Sequence, residues 1–342
     1  MLQPAPGLRV RAARLPRALQ LWRTCGLLAL MAAAAAVPLF ASDFLLFRLT
    51  NVLVYAIALL GMNILVGYNG QISLGHGAFY AVGAYTAALL IVHTGLAHWV
   101  AVPVAGLVCL GLGFVFSLPL LRLSPVHLAM ATFAVGMVLP TIAKWKWLEG
   151  WTGGGQGLGI DIPAVPFGLP LSFDQWLYLL SLLIMALCLL LAANLLRGRV
   201  GRAAIAIRDH PIAAQSMGVD TVFYKAMIFG ISAMLVGIAG ALAALSFRYI
   251  APGLFGVFLS FGLLIGIAVG GLASLSGALY GAIFLQYIFL VVGVTARSLQ
   301  TSSTPLIYGI VLVLFLCFFP NGIAGLVKRL SGRMRRTGAD QQ

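Results

Sequence analysis

Side chains that could bind, protonate or coordinate a ligand are sparse in this 342-residue chain, and their spacing limits the chemistry open to them. The five histidines, His76, His93, His98, His127 and His210, are scattered, with no interval that places two on one metal ion. Cys25, Cys109, Cys188 and Cys317 each stand alone in an apolar run, so packing is expected of them rather than metal or redox work. The glycine run 153–159 has the look of a phosphate loop but lacks both the GK[ST] ending and a preceding strand. Nucleotide hydrolysis by the chain itself is not expected, and no paired nucleophile and base is apparent. The seven acidic residues all avoid the middle of the apolar runs, which argues against a proton relay at membrane depth. A sodium site made of backbone carbonyls stays open.

Polar residues concentrate in two stretches. In 61–88, GMNILVGYNGQISLGHGAFYAVGAYTAA, an apolar run is interrupted by Gly67, Asn69, Gly70, Gln71, Ser73 and Gly75. Broken helix inside a bilayer is tolerated only where it is buried in protein or lines a water-filled cavity. Asn69, Gln71, Ser73, Gly75 and His76 are therefore candidates for a translocation path. Tight helix packing is the plainer reading, because Gly77, Ala81, Ala84 and Ala88 recur at about one-turn spacing. A related pattern, Gly271, Ser274, Leu275, Gly277, Ala278 and Tyr280, adds Ser274 to the path candidates. It reads either as a second helix-break-helix unit or as a chance match of small residues.

The second stretch, 197–225, RGRVGRAAIAIRDHPIAAQSMGVDTVFYK, is too polar to sit in a membrane. Its basic excess places it in the cytoplasm by the positive-inside bias. Pro211 suits a first helical position with Asp209 ahead of it as a cap, and Gly218 suits a left-handed stop. Two short helices joined at Asp209 and His210 are expected, serving either as a docking knob or as an ordinary amphipathic loop.

These stretches must be carried by membrane spans. The chain is 62% hydrophobic and 8% charged, against about a quarter charged in soluble domains. Apolar runs of spanning length fall at 25–41, 44–66, 76–92, 99–121, 126–143, 175–196, 222–247, 256–271, 277–294 and 305–319. The expected fold is an all-α polytopic membrane protein of about ten transmembrane helices, with eight plus re-entrant segments as the competing count. Both termini are then cytoplasmic. A basic tail occupies 1–24, the transmembrane domain 25–327 and a second basic tail 328–342, with an outer loop at 144–174 and a polar inner loop at 197–221. The net charge of +14 lies mainly in Arg9, Arg11, Arg14, Arg17 and Arg23, the central loop, and Lys328, Arg329, Arg333, Arg335 and Arg336. That pattern fits membrane-lipid headgroups and topology rather than nucleic acid. On the outer side, Arg48, Arg248 and Arg297 are candidate contacts for a docking protein, or else they snorkel to headgroups.

Four segments together resemble the permease subunits of branched-chain amino-acid importers of the ATP-binding-cassette class. They are the 63–90 run NILVGYNGQISLGHGAFYAVGAYTAALL, the 151–163 run WTGGGQGLGIDIP, the long run from Gly201 to Leu242, and GLASLSGALYGA at 271–282; FFPNGIAGL at 318–326 also fits. The resemblance implies an inner-membrane subunit that is not itself an enzyme and carries no cofactor. Its implied partners are a second homologous permease, two cytoplasmic ATPases that bind ATP and Mg, and a periplasmic substrate-binding protein. It also implies that 204–218 docks on an ATPase, with Arg208, Asp209, Pro211, Ala213, Ala214, Gln215 and Gly218 as the coupling residues. Pro211 and Gln215 stand where the family commonly has an acidic residue, which removes any specific salt bridge from those positions. The cargo expected from the resemblance is a branched-chain amino acid. Urea or a short amide is the alternative within the family, and a stand-alone secondary carrier the alternative outside it.

Overall fold

The computed structural model describes residues 31–120, 125–161, 165–166, 170–298, 309, 317 and 322–327. The chain divides into two units, Met1–Ser42 and Asp43–Gln342. In the first, residues 31–36 are helical and a single 3₁₀ turn follows at Val37–Leu39, where Pro38 supplies the fixed φ of a helix start. The first expected span, 25–41, lies partly outside the described residues, and the tenth, 305–319, almost wholly so.

The second unit is helical because lipid offers its backbone no hydrogen-bonding partner, so each spanning segment must satisfy its own amides. Among the described residues, five helices are long and apolar enough to cross a membrane. The first is α1 (Asp43–Asn63), which continues through a π-helical turn at Ile64–Tyr68. Next come α2 (His76–Thr94), stopped by Gly95 in the left-handed conformation, and α3 (His98–Leu120). The shorter α4 (Pro125–Ala143) leads to the outer loop, which holds α5 (Glu149–Thr152) and strand β1 (Leu158–Gly159).

Helix α6 (Phe173–Arg197) starts on a capping box. Ser172 Oγ accepts from the Gln175 amide and Gln175 Oε1 accepts from the Ser172 amide, so two orphan donors are satisfied at once. The helix pair expected from sequence is present as α7 (Arg199–Asp209) and α8 (Pro211–Ser216). One detail is corrected: the cap of α8 is His210, which makes no side-chain cap bond, because Asp209 closes α7 and pairs with Arg208. Gly218 does take a left-handed φ of 80°.

Helix α9 (Thr221–Phe247) ends at Arg248, itself left-handed, and runs into β2 (Tyr249–Ile250) and a 3₁₀ turn at Pro252–Phe255. Then α10 (Val257–Gly270) and α11 (Leu275–Ser298) form a hairpin about residues 271–274. Strands β1 and β2 pair antiparallel, Leu158 opposite Ile250, and clip the outer loop to the end of α9. This is a small departure from the all-α expectation.

Helices α1 and α9 form the core, and α2 and α3 pack on α9 through small residues. A Cβ on Gly240 would stand 1.9 Å from the Tyr80 carbonyl oxygen, and one on Gly83 2.0 Å from that of Gly237. Backbone therefore lies directly on backbone, the close approach that drives helix association in lipid. The α10–α11 hairpin is built alike, with Gly270 against Gly277 and Gly266 against Gly281.

Candidate functional site

The interruption predicted at 67–75 is real, and its backbone is satisfied by side chains from several elements. The Leu74 amide donates to Thr132 Oγ1 of α4 (3.1 Å), and the Gly77 amide donates to Ser260 Oγ of α10 (2.8 Å). The Gly75 amide reaches Ser73 Oγ at 3.4 Å. The first turn of α2 thus meets the first turn of α10, while its neighbour Ser232 sits near the middle of α9. Helix α2 begins inside the bundle rather than at its edge.

His76 is fully buried there. Its Nδ1 lies 2.8 Å from Ser73 Oγ and its Nε2 2.9 Å from Ser232 Oγ, and the Ser232 hydroxyl donates to the Gly61 carbonyl at 2.7 Å. Ser232 has one proton and commits it to Gly61, so His76 Nε2 donates to Ser232 and Nδ1 accepts from Ser73. This chain of buried bonds fixes the start of α2 against α1 and α9. Ser232→Ala leaves a buried N–H without an acceptor and is expected to cost about 1–3 kcal/mol. A thermal unfolding midpoint of the solubilised protein no lower than that of the parent would contradict it.

Asn69 and Gln71 differ from the other path candidates. Both are buried, and among the described residues neither amide nitrogen nor amide oxygen of either has a hydrogen-bond partner. A buried amide left in that state is costly unless a polar visitor serves it. Ser73 and His76 are spent on the chain above. Gly75 is a packing glycine, since a Cβ would come 2.3 Å from the Thr132 carbonyl oxygen. Ser274 lies apart from them in the α10–α11 turn, its hydroxyl 3.2 Å from that of Ser276.

That turn is tied to the end of α1 by a residue the sequence reading passed over. Asn63 Nδ2 donates to the Ser274 carbonyl (2.7 Å), and the Ala273 amide donates to Asn63 Oδ1 (2.9 Å). Four residues on, the Gly67 carbonyl accepts from Arg208 Nη1 at 2.8 Å. Arg208 also pairs with Asp209 and lies across Gly70, whose missing Cβ leaves room for the arginine stem, since a Cβ there would stand 2.8 Å from Arg208 Cγ. A π-helical turn departs from the usual ladder and recurs at functional positions. Here one such segment receives the guanidinium of α7. Arg208, the π-turn of α1 and the 271–274 turn form one connected joint.

Beyond Arg208, the α7–α8 pair exposes Asp209, Pro211, Ala213, Gln215 and Gly218, whereas Ala214 faces the rest of the chain. The most prominent groups are two that the reading omitted, Ile212 at 81% and Met217 at 87% exposure. An apolar residue directly after a helix-starting proline was the available signal. The three arginines considered for docking differ. Arg248 makes a two-oxygen salt bridge to Asp174 (2.9 and 3.0 Å), Arg48 lies 4.3 Å over the Phe44 ring, and Arg297 belongs to the last turns of α11.

Residues 44–316 match the family described as branched-chain amino acid transport system / permease component. The high-affinity branched-chain amino acid transport system permease protein LivM of Salmonella typhimurium is 31% identical over 328 residues, covering 88% of this chain and 75% of that protein. LivM of Escherichia coli K12 is similar to the same extent, 31% over 328 residues with the same coverage. LivH of Escherichia coli K12 is 23% identical over 301 residues, 79% of this chain and 91% of that protein. No solved structure matches the chain.

Proposed function

The chain belongs to the branched-chain amino acid transport permease family, and on that premise we propose that it is the multi-pass, inner-membrane permease subunit of an ATP-driven importer of branched-chain amino acids. The observation that supports the reading is the joint at Arg208, because it links an exposed docking element to the interruption between α1 and α2. In this reading a second permease completes the path, two ATPases bind ATP and Mg and dock on α7 and α8, and a periplasmic binding protein delivers cargo to the outer face. Nucleotide-driven movement of α7 displaces Arg208, and with it the π-turn and the broken segment carrying Asn69 and Gln71. Such a shift requires contacts that differ between the two states. The free amides are suited to serve cargo or water in one state and each other or a neighbour in the other.

The test is uptake of labelled leucine, with labelled urea in parallel, by cells carrying the neighbouring genes, with and without a glutamate-to-glutamine change in the partner ATPase's catalytic site. Leucine uptake that dies with the ATPase supports the reading. Urea uptake in place of leucine overturns the cargo, and uptake indifferent to the ATPase overturns ATP-driven import. Ile212→Glu and Met217→Glu place a charge where an apolar contact is expected, and should each weaken ATPase co-purification at least about tenfold. Unchanged co-purification would move the docking site elsewhere.

A further inference from the structure

Beside the meeting point of α2 and α10 lies a cavity of about 160 Å³. Its walls are aromatic: Tyr55 of α1, Tyr80 of α2, Phe247 at the end of α9, Tyr249 of β2 and Phe255 of the 3₁₀ turn. Ala243 and Ala244 of α9 also line it, and their small side chains leave the space open. The Tyr80 and Phe255 rings stand 6.1 Å apart at 47°, and both residues are buried. Phe247, Tyr249 and Leu254 are half exposed and form the mouth. No charged residue lines the space. The mouth adjoins the β1–β2 clip and the outer loop, on the side away from α7 and α8.

An apolar cavity of about 150 Å³ is large enough to take up a benzene ring and too poor in polar partners to hold water well. A space of this size, walled mostly by rings and aliphatic side chains, fits a branched group of three or four carbons, and with no charged residue in its lining it offers a free ammonium or carboxylate no counter-ion. We propose that it is the outward-side subsite for the aliphatic side chain of the cargo, a proposal that rests on the permease reading above. The cargo's charged end stays at the mouth.

Two substitutions and one labelling experiment test this on the assembled importer. Ala244→Leu fills the cavity and is expected to lower leucine uptake at least about tenfold relative to alanine uptake, the scale on which a pocket reads single methylenes. Leu254→Ala, at the exposed rim, widens the mouth and should let phenylalanine compete with labelled leucine several-fold better than it does in the parent. A diazirine analogue of leucine, applied to the complex without ATP, should label residues between 243 and 259, and excess leucine should block that labelling. If Ala244→Leu does not accumulate in the membrane, the rim variant and the labelling of the parent decide. Leucine imported normally with an unchanged leucine-to-alanine preference in the variants, or labelling that leucine does not block, overturns the subsite. Labelling by a diazirine fatty acid that leucine fails to displace assigns the space to a lipid tail and likewise overturns it. A parent importer that takes up no leucine instead defeats the permease reading, so the two failures are distinguishable.

Discussion

Arg208→Ala is expected to reduce leucine uptake at least about tenfold while the partner ATPases continue to hydrolyse ATP. The guanidinium makes a charge-assisted bond to the Gly67 carbonyl, the kind worth about 1.5–3 kcal/mol, and 1.4 kcal/mol of lost coupling already corresponds to a factor of about ten. Arg208 is exposed on its other side, so its removal spares the fold of α7, whose buried face is Gly201, Ala203, Ala204 and Ile207. Arg208→Lys keeps the charge but loses the planar fork that reaches Gly67 and Asp209 together, and an intermediate loss is expected. The measurement is the ratio of leucine imported to ATP consumed in reconstituted vesicles. If hydrolysis and uptake fall in equal proportion, Arg208 serves docking rather than transmission.

Gly240→Ala is expected to be among the most damaging single methyls at the described glycines. The added carbon would lie 1.9 Å from the Tyr80 oxygen and 2.8 Å from the carbon it is bonded to, and both are backbone atoms of α2. No rotamer relieves such a clash, so α2 and α9 must separate along a crossing that also brings Gly83 onto Gly237. Overpacking of a close-packed interior commonly costs about 1–3 kcal/mol, and a rigid backbone neighbour places this case at or above the upper end. Gly111→Ala is the control: it lies on the exposed side of α3 with nothing within 4 Å of the new carbon. Size-exclusion recovery after solubilisation should collapse for Gly240→Ala and stay at the parent level for Gly111→Ala. Equal recovery would mean that the α2–α9 crossing is loose enough to admit a methyl group.

Much of this architecture was legible in residue order. The runs at 44–66, 76–92, 99–121, 175–196 and 222–247 correspond to α1, α2, α3, α6 and α9 within a few residues, because apolar length is what a bilayer imposes. The break at 67–75 and the helix pair joined at 209–210 were visible for the same reason, as polar and glycine-rich departures from that pattern. What stayed hidden was partnership across the fold. Ser232, Ser260, Thr132 and Asn63 are single polar residues inside apolar helices, and periodicity does not say that their faces converge on residues 61–77 or 273–274. The count of ten spans met a different obstacle. Helix α10 has 14 residues, roughly 21 Å at helical rise, short of a core of roughly 30 Å, and hydropathy cannot tell a half-length helix from a full one. Arg248 illustrates a third: its charge suggested an outward partner, whereas Asp174 already occupies it within the chain.

The contact between the first turns of α2 and α10 has an electrical consequence. Helix N-termini carry partial positive charge, and here two of them abut through Gly77 and Ser260 with no carboxylate among the nearby elements to offset them. A sodium ion or hydrated proton entering that junction meets repulsion from both ends, as the paired half-helices of water channels repel cations. A zwitterion carries no net charge and is spared most of that penalty. The junction is therefore expected to disfavour the passage of a cation more than that of a zwitterion.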